Sequence, residues 1–318
     1  MAFFDKPART VRILTVTMNP TLDVATRVER LVNHEKLRCD SEAEQVGGGG
    51  INVAQVAYSL GARSTAAFTA GGWRGNEIER RLKDDGIDCL AMHIAGESRQ
   101  CFTVYETSTA QEFRFILPGP SLSENEWQGC LTQIVEAAQS MHWLVLSGSL
   151  PPGVPSTFYK QVIDRVRHKG NNSVRIAVDT SGQALKDALT CELDLIKPSR
   201  EELEQITGQS LTDLDSCLRA GRQLQRQNHI DTLAVSLGSK GRWSARAQTG
   251  CTWIPCLSTS PARSGPVTVL WGGLSGRSLM RQIWPNVPAW PPQQPRLPCR
   301  LKASSNLTPD RFLNRLRV

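Results

Sequence analysis

The chain lacks any C-x-x-C pair; its nine cysteines are scattered singly. That spacing excludes a zinc ribbon or a dithiol redox motif and reads as reduced thiols packed as small apolar groups. No apolar run of about 18 residues occurs, so no spanning helix and no membrane partner are expected. The opening MAFFDKPART has neither a long apolar core nor a small-residue cleavage site, so no secretory leader is read and a cytoplasmic location is expected. Neither G-x-G-x-x-G nor G-x-x-x-x-G-K-[ST] is present, which removes two common nucleotide fingerprints. Acid is scarce at one end: beyond Gly241 a single acidic residue, Asp310, stands against ten Arg and one Lys. The formal charge of +7 therefore resides in that tail, whose net +10 leaves −3 for residues 1–241. The tail also holds five of the eight Trp and ten of the eighteen Pro. It contains no recognisable nucleic-acid module, and no nucleic-acid partner is expected.

What is present centres on Gly47-Gly48-Gly49-Gly50-Ile51-Asn52-Val53-Ala54. Four successive glycines strip the backbone of Cβ atoms and let a ligand approach the main chain. They run into Ile51, Val53, Ala54, Val56, Ala57 and Leu60, a spacing that predicts a helix with one apolar face. The first amides of such a helix have no internal partners and carry partial positive charge, which suits a phosphate. Asn52 adds a side-chain amide at its mouth. The alternative, a flexible glycine linker, fits poorly with a periodic apolar helix directly behind it.

The remaining pattern alternates strands and helices, which argues an α/β fold with a mostly parallel sheet and helices on both faces. Arg12–Val16 reads as a buried first strand ending at Asn19-Pro20-Thr21-Leu22-Asp23. There Asp23 is either an acceptor for sugar hydroxyls at the ligand edge of the sheet or a turn residue after Pro20. Glu35–Cys39 and Glu42–Val46 read as short polar strands of a small sheet over the site. Thr65–Ala70, Cys89–Ile94, Gln100–Glu106, Glu112–Leu117, Trp143–Leu146, Arg175–Val178, Leu193–Ile196 and Thr232–Ser236 read as further strands. Helices are expected at Gly75–Lys83, Glu124–Gln139, Thr157–Lys169, Glu201–Ile206 and Leu211–Gln227. Arg99 and Arg114 lie on or beside strands; a guanidinium fork matches phosphate oxygens, although each alone reads first as a solvated surface charge. Ser147-Gly148-Ser149-Leu150-Pro151-Pro152-Gly153 is a tight loop after a buried strand. Lys197-Pro198-Ser199-Arg200-Glu201-Glu202 opens a helix at another strand end, where Lys197 suits nucleotide phosphate and Glu202 a metal-bound water. The same stretch also reads as an ordinary Pro-led helix start.

Taken in order, GGGGINVA, LSGSLPPG, the KPSREEL helix start and VSLGSKG resemble the ribokinase-like PfkB family of carbohydrate kinases. EKLRC, VGGGGINVA, FRFILPG and SGSLPPGV are in the style of its minor 6-phosphofructokinase branch, with 1-phosphofructokinases and tagatose-6-phosphate kinases as near relatives. The resemblance covers roughly residues 10–241. It implies a three-layer α/β/α sandwich with a small β lid on about 35–46 and 99–117, and a homodimer formed through the lid. It implies ATP-dependent phosphorylation of a sugar phosphate, fructose 6-phosphate first among candidates, with Mg2+. By resemblance Asp23, Gly48, Gly49, Asn52, Arg99 and Arg114 hold the sugar phosphate, with Lys36 assisting and Ser147 near the sugar. Lys197, Ser199, Ser236 and Gly238 match the nucleotide side, and Glu202 the metal. Ser199 stands where the family carries Asn.

One family motif is missing. The Gly-Ala-Gly-Asp loop, whose amides stabilise the transferred phosphoryl group and whose Asp takes the hydroxyl proton, occurs nowhere; residues 264–268, around Val267, read Ser-Gly-Pro-Val-Thr. No catalytic base is therefore assigned. Read one base out of register, the codon sets of Gly265–Val269 are compatible with Gly-Ala-Gly-Asp-Ser. A frameshift near Gly241 is expected to account for the change of composition, leaving 242–318 an aberrant, irregular tail. A catalytically dead sugar-phosphate-binding protein is the companion expectation.

Overall fold

The computed structural model describes residues 11–40, 42–169, 173–237, 242–246 and 250–254. The chain runs β1 (Arg12–Thr17), β2 (Thr21–Val28), β3 (Glu42–Gly47), α1 (Gly49–Ser59), β4 (Arg63–Gly71), α2 (Gly72–Asp84), β5 (Asp88–Ile94), β6 (Arg99–Glu106), β7 (Gln111–Phe115) and α3 (Glu124–Ala138). It continues β8 (Trp143–Ser147), α4 (Phe158–His168), β9 (Arg175–Asp179), α5 (Gly182–Ala188), β10 (Leu195–Ile196), α6 (Arg200–Thr207), α7 (Leu214–Gln227), β11 (Thr232–Ser236), β12 (Arg242–Arg246) and β13 (Gly250–Ile254).

The large sheet has the order β13-β12-β11-β10-β9-β8-β1-β4-β5, parallel from β11 to β5. Its inner strands β1, β4, β8 and β9 are largely buried on both faces, so they read as near-continuous apolar runs such as Ile13–Val16 and Trp143–Leu146. On one face α3 to α7 bury Leu131, Ile134, Val162, Val166, Leu203 and Leu224 against it. On the other, α1 and α2 bury Ile51, Val53, Ala57, Ile78 and Leu82. The first strand is central: later strands are added on one side as β4 and β5, and on the other as β8 to β11. The order reverses between β1 and β8, the place where open α/β sheets take ligands at their carboxyl ends.

The second sheet, β3-β2-β6-β7, is the lid. Two expectations about it are corrected. Glu35–Cys39 is not a strand but part of an irregular, exposed stretch; its run of charged and polar side chains has no alternating apolar face to bury. The lid strand is β2 instead, so Asp23 is not past a strand end but the third residue of a strand, opposite Gln45 on one side and Cys101 on the other.

A third correction concerns the tail. Regular structure does not stop at Gly241: β12 pairs antiparallel with β11, and β13 with β12. Trp243, Thr252, Trp253 and Ile254 are strand-favouring residues, and two five-residue strands suit the open edge of β11 whatever the average composition. The rest of the expected irregular tail, including Val267, lies outside the described residues.

Candidate active site

The glycine run turns beneath the carboxyl ends of β1 and β8. Gly48 has φ +129°, in the region that favours glycine. A Cβ on Gly48 would lie 2.6 Å from Thr17 Cγ2, one on Gly49 would collide with Ser147 Oγ, and one on Gly50 would lie 2.5 Å from the Val16 carbonyl oxygen. The turn is therefore seated on the sheet with no room for side chains. Thr17 Oγ1 accepts from the Ile51 N–H at 3.0 Å, and the Asn52 N–H returns to the Gly48 carbonyl at 2.9 Å. These bonds fix the N-terminus of α1 toward the crevice, with the Asn52 side chain half-buried in its first turn.

The lid supplies an acid on β2 and two arginines on the neighbouring strands β6 and β7. Asp23 is half-buried, and burial pushes its carboxyl above the ordinary value, opposed by the neighbouring Thr21 hydroxyl and by the charges of Arg114 and Arg99. Arg114 is exposed on β7, opposite Thr103. Arg99 donates through Nη1 to the Leu117 carbonyl at 3.2 Å and through Nη2 to the Asn19 carbonyl at 3.0 Å. Part of its fork is thus spent tying the two chain crossings between lid and body. Lys36 is exposed in the irregular stretch before β3, and no described contact brings it to this group.

Across the crevice, Lys197 follows β10 and is only 8 % exposed. Its Nζ pairs with Asp179 Oδ1 at 2.9 Å. Ser147, wholly buried at the end of β8, donates through Oγ to Asp179 Oδ2 at 3.4 Å. Asp179 thus joins the glycine turn, through Ser147, to the lysine on the far side. Sequence reasoning gave it no role; its position as the last residue of a buried strand, before Thr180-Ser181-Gly182, was the available signal. Asn19 was missed as well: it is buried, donates through Nδ2 to Ser149 Oγ at 3.3 Å, and packs so closely on Gly119 that a Cβ there would collide with Oδ1.

Ser199 caps α6. Its Oγ accepts from the Glu202 N–H at 3.1 Å, while Glu202 Oε2 accepts from the Ser199 N–H at 2.7 Å, a reciprocal capping box. Burial pushes the Glu202 carboxyl up, the Ser199 amide and Lys197 pull it down, and the Asp179 charge pushes it up again. Ser236 bridges to Ser199 and donates its N–H to the Pro198 carbonyl at 3.1 Å. Gly238 lies outside the described residues. No three His, Cys, Asp or Glu side chains among the described residues form a closed metal cage. Two mutually repelling carboxylates, Asp179 and Glu202, beside an ammonium instead fit a hard cation that keeps its waters and phosphate oxygens as most of its ligands.

A glycine-lined helix start under a β lid, with a lysine and two carboxylates across the sheet edge, is an arrangement suited to phosphate in an α/β protein. The chain belongs to the pfkB family carbohydrate kinases, whose family model matches residues 17–260. It is 39 % identical over 277 residues to the ATP-dependent 6-phosphofructokinase isozyme 2 of Mycobacterium tuberculosis, covering 86 % of this chain and 80 % of that protein. A crystal structure of phosphofructokinase-2 from Escherichia coli in complex with fructose-6-phosphate superposes with TM-score 0.75 at 31 % identity, covering 86 % of this chain and 88 % of that one. The tetrameric inhibited form of the same enzyme superposes with TM-score 0.76, at 31 % identity and the same coverage. The family match runs past Gly241, in keeping with β12 and β13.

Proposed function

We propose that the ancestral activity of this chain is transfer of the terminal phosphoryl group of ATP to the free primary hydroxyl of fructose 6-phosphate, giving fructose 1,6-bisphosphate. The observation that carries this reading is that Asp23 on β2 lies against Gly47, at the start of the glycine turn, and feels the charges of Arg99 on β6 and Arg114 on β7: an acceptor for sugar hydroxyls near donors for a phosphate. The resemblance to 6-phosphofructokinases supports the choice of sugar. In this reading Gly48, Gly49, Asn52, Arg99 and Arg114 hold the sugar phosphate, with Lys36 approaching when substrate is bound. Ser147 orients the reacting end of the sugar. Lys197, Ser199, Ser236 and Gly238 hold the nucleotide, and Glu202 with Asp179 holds Mg2+. The cation, when bound, offsets charge on the transferring phosphates. The protein's own contribution is positioning and electrostatic preorganisation, the main resources in phosphoryl transfer.

The chain as written carries no Gly-Ala-Gly-Asp loop. Loss of a general base costs roughly 10²–10⁴ in rate, and loss of the anion-stabilising amides adds to that. The expected result is binding without appreciable turnover. A coupled assay, run beside calorimetric titration with fructose 6-phosphate, fructose 1-phosphate, tagatose 6-phosphate and MgATP, tests this. Turnover near that of an intact relative refutes the inactive reading, and preference for either of the other sugars refutes the choice of fructose 6-phosphate. The genomic DNA across codons 241–269 tests the shifted frame directly: codons that forbid Gly-Ala-Gly-Asp-Ser in the alternative register sink it.

The lid also supports a homodimer. Phe102 and Phe115 are cross-strand partners, both exposed, and Ile116, Leu117 and Leu37 extend the apolar set. A cluster of that kind on a thin lid is more readily explained by a second copy than by solvent.

A further inference from the structure

The lid has to be held at a fixed height above the sheet edge for Asp23 to face the glycine turn, and the group that holds it lies outside the site. Helix α2 packs against β2 and β3, and is the body element the lid rests on together with α1. From its last turns Arg81 reaches up to the lid. Nη2 meets Glu44 Oε2 at 2.5 Å, and Nη1 donates to the Glu44 carbonyl oxygen at 3.1 Å. The third edge of the fork, Nε, donates to Glu77 Oε1 at 2.6 Å one turn earlier. Glu77 therefore aims the guanidinium, and the guanidinium grips both the side chain and the main chain of one lid residue.

Most exposed ion pairs contribute little, because two long side chains must be ordered in water. This pair differs in two respects. Both members are half-buried, at 27 % and 29 % side-chain exposure, and a planar fork held on two sides loses less freedom per bond formed. Its location matters more. Glu44 stands opposite Val24, and the next residue, Gln45, stands opposite Asp23. Two residues further, a Cβ on Gly47 would collide with Asp23 Oδ2. A shift of β3 therefore moves Asp23 and the start of the glycine turn together.

We propose that Arg81 is a positioning residue for the sugar-phosphate site: by clamping Glu44 of β3 to α2, it sets the resting height of the lid and with it the placement of Asp23. The effect on affinity rests on the sugar-phosphate reading above, whereas the clamp itself does not.

Two measurements on the full chain test it, using Arg81→Gln, Glu44→Gln and the double variant. The first is amide hydrogen exchange without ligand. Arg81→Gln should quicken exchange across Thr21–Val28 and Glu42–Gly47 while Leu144–Leu146 in the central sheet keep their protection, and the double variant should quicken it no further than Arg81→Gln alone, since Glu44→Gln leaves the main-chain bond in place. The second is calorimetry. Affinity for fructose 6-phosphate should fall about 2–5-fold, the span an ion pair of this kind supports, with MgATP affinity unchanged. Unchanged lid exchange in Arg81→Gln overturns the clamp, as does faster exchange of lid and central sheet together, which is global loosening. Equal loss of affinity for both ligands overturns the positioning role. If the unaltered chain binds no fructose 6-phosphate, the substrate reading fails, and the exchange result still decides the clamp.

Discussion

Glu202 has one carboxylate oxygen committed to the Ser199 N–H, and its charged form is disfavoured by burial and by Asp179. Protons therefore compete with a cation for this group at pH values above the ordinary 4.5 of a glutamate. Calorimetric affinity for MgATP should weaken as pH is lowered toward the carboxylate range, and begin to do so above the ordinary value of a glutamate. Glu202→Gln should weaken it throughout and remove part of that slope. Ser199, where the family carries Asn, accepts from the Glu202 N–H and so behaves as a helix cap first. At the glycine turn the constraint is steric. Gly50→Ala would press a methyl against the Val16 carbonyl oxygen, and a denaturant melt should show a loss of about 1–3 kcal/mol, the usual cost of overpacking a dense site. Lys197 and Glu202 could be picked out from sequence because a Lys-Pro step opens a helix straight after a buried strand. Asp179 could not be ranked, because an Asp at a strand end is also a common turn former, and only its contacts to Ser147 and Lys197 separate the two cases.

Elements with a clear period were legible. α3 is the plainest: Ser123 accepts from the Glu126 N–H, Glu126 accepts from the Ser123 N–H, and the buried set Cys130, Leu131, Ile134, Val135 and Ala138 follows at helical spacing. Ser123→Ala should lower stability by about 1 kcal/mol in the same melt. β2 was hidden because Asn19-Pro20 reads as a turn, although Leu22, Val24 and Val28 alternate with Asp23 and Arg27 along it. Glu35–Cys39 misled for the opposite reason: a short polar run satisfies a lid strand by composition, yet it stays exposed and unpaired among the described residues. α2 carries its own pH signature. Hydrogen bonds from Arg80 and then Arg81 hold the Glu77 carboxyl at about 2 against an ordinary 4.5. A depressed folded value means the contribution is complete above about 4.5 and is lost as pH falls toward 2. Glu77→Gln should therefore flatten the acid side of the stability profile across that window.

At the scale of the whole molecule, the parallel sheet and its two helical layers followed from strand and helix alternation, and the position of the lid from its polar strands. The extent of the ordered body did not. A change in average composition at Gly241 says little about whether five-residue stretches pair with an open edge, and β12 and β13 do so. The oligomer belongs to this scale too. Charge placed on the lid's outer face, as in Phe115→Glu with Ile116→Glu, should convert a dimer to a monomer in light scattering and leave helix content unchanged; a monomeric parent chain would refute the proposed assembly. One further result concerns the carboxylate shared by Ser147 and Lys197. On the proposed assignment Asp179 links the acceptor side, through Ser147, to the nucleotide side, through Lys197, so a ligand that draws Lys197 away from it would alter what Ser147 experiences. By reciprocity each substrate must then change the other's dissociation constant by the same factor, and this chain can show that crosstalk even if it never completes a catalytic cycle.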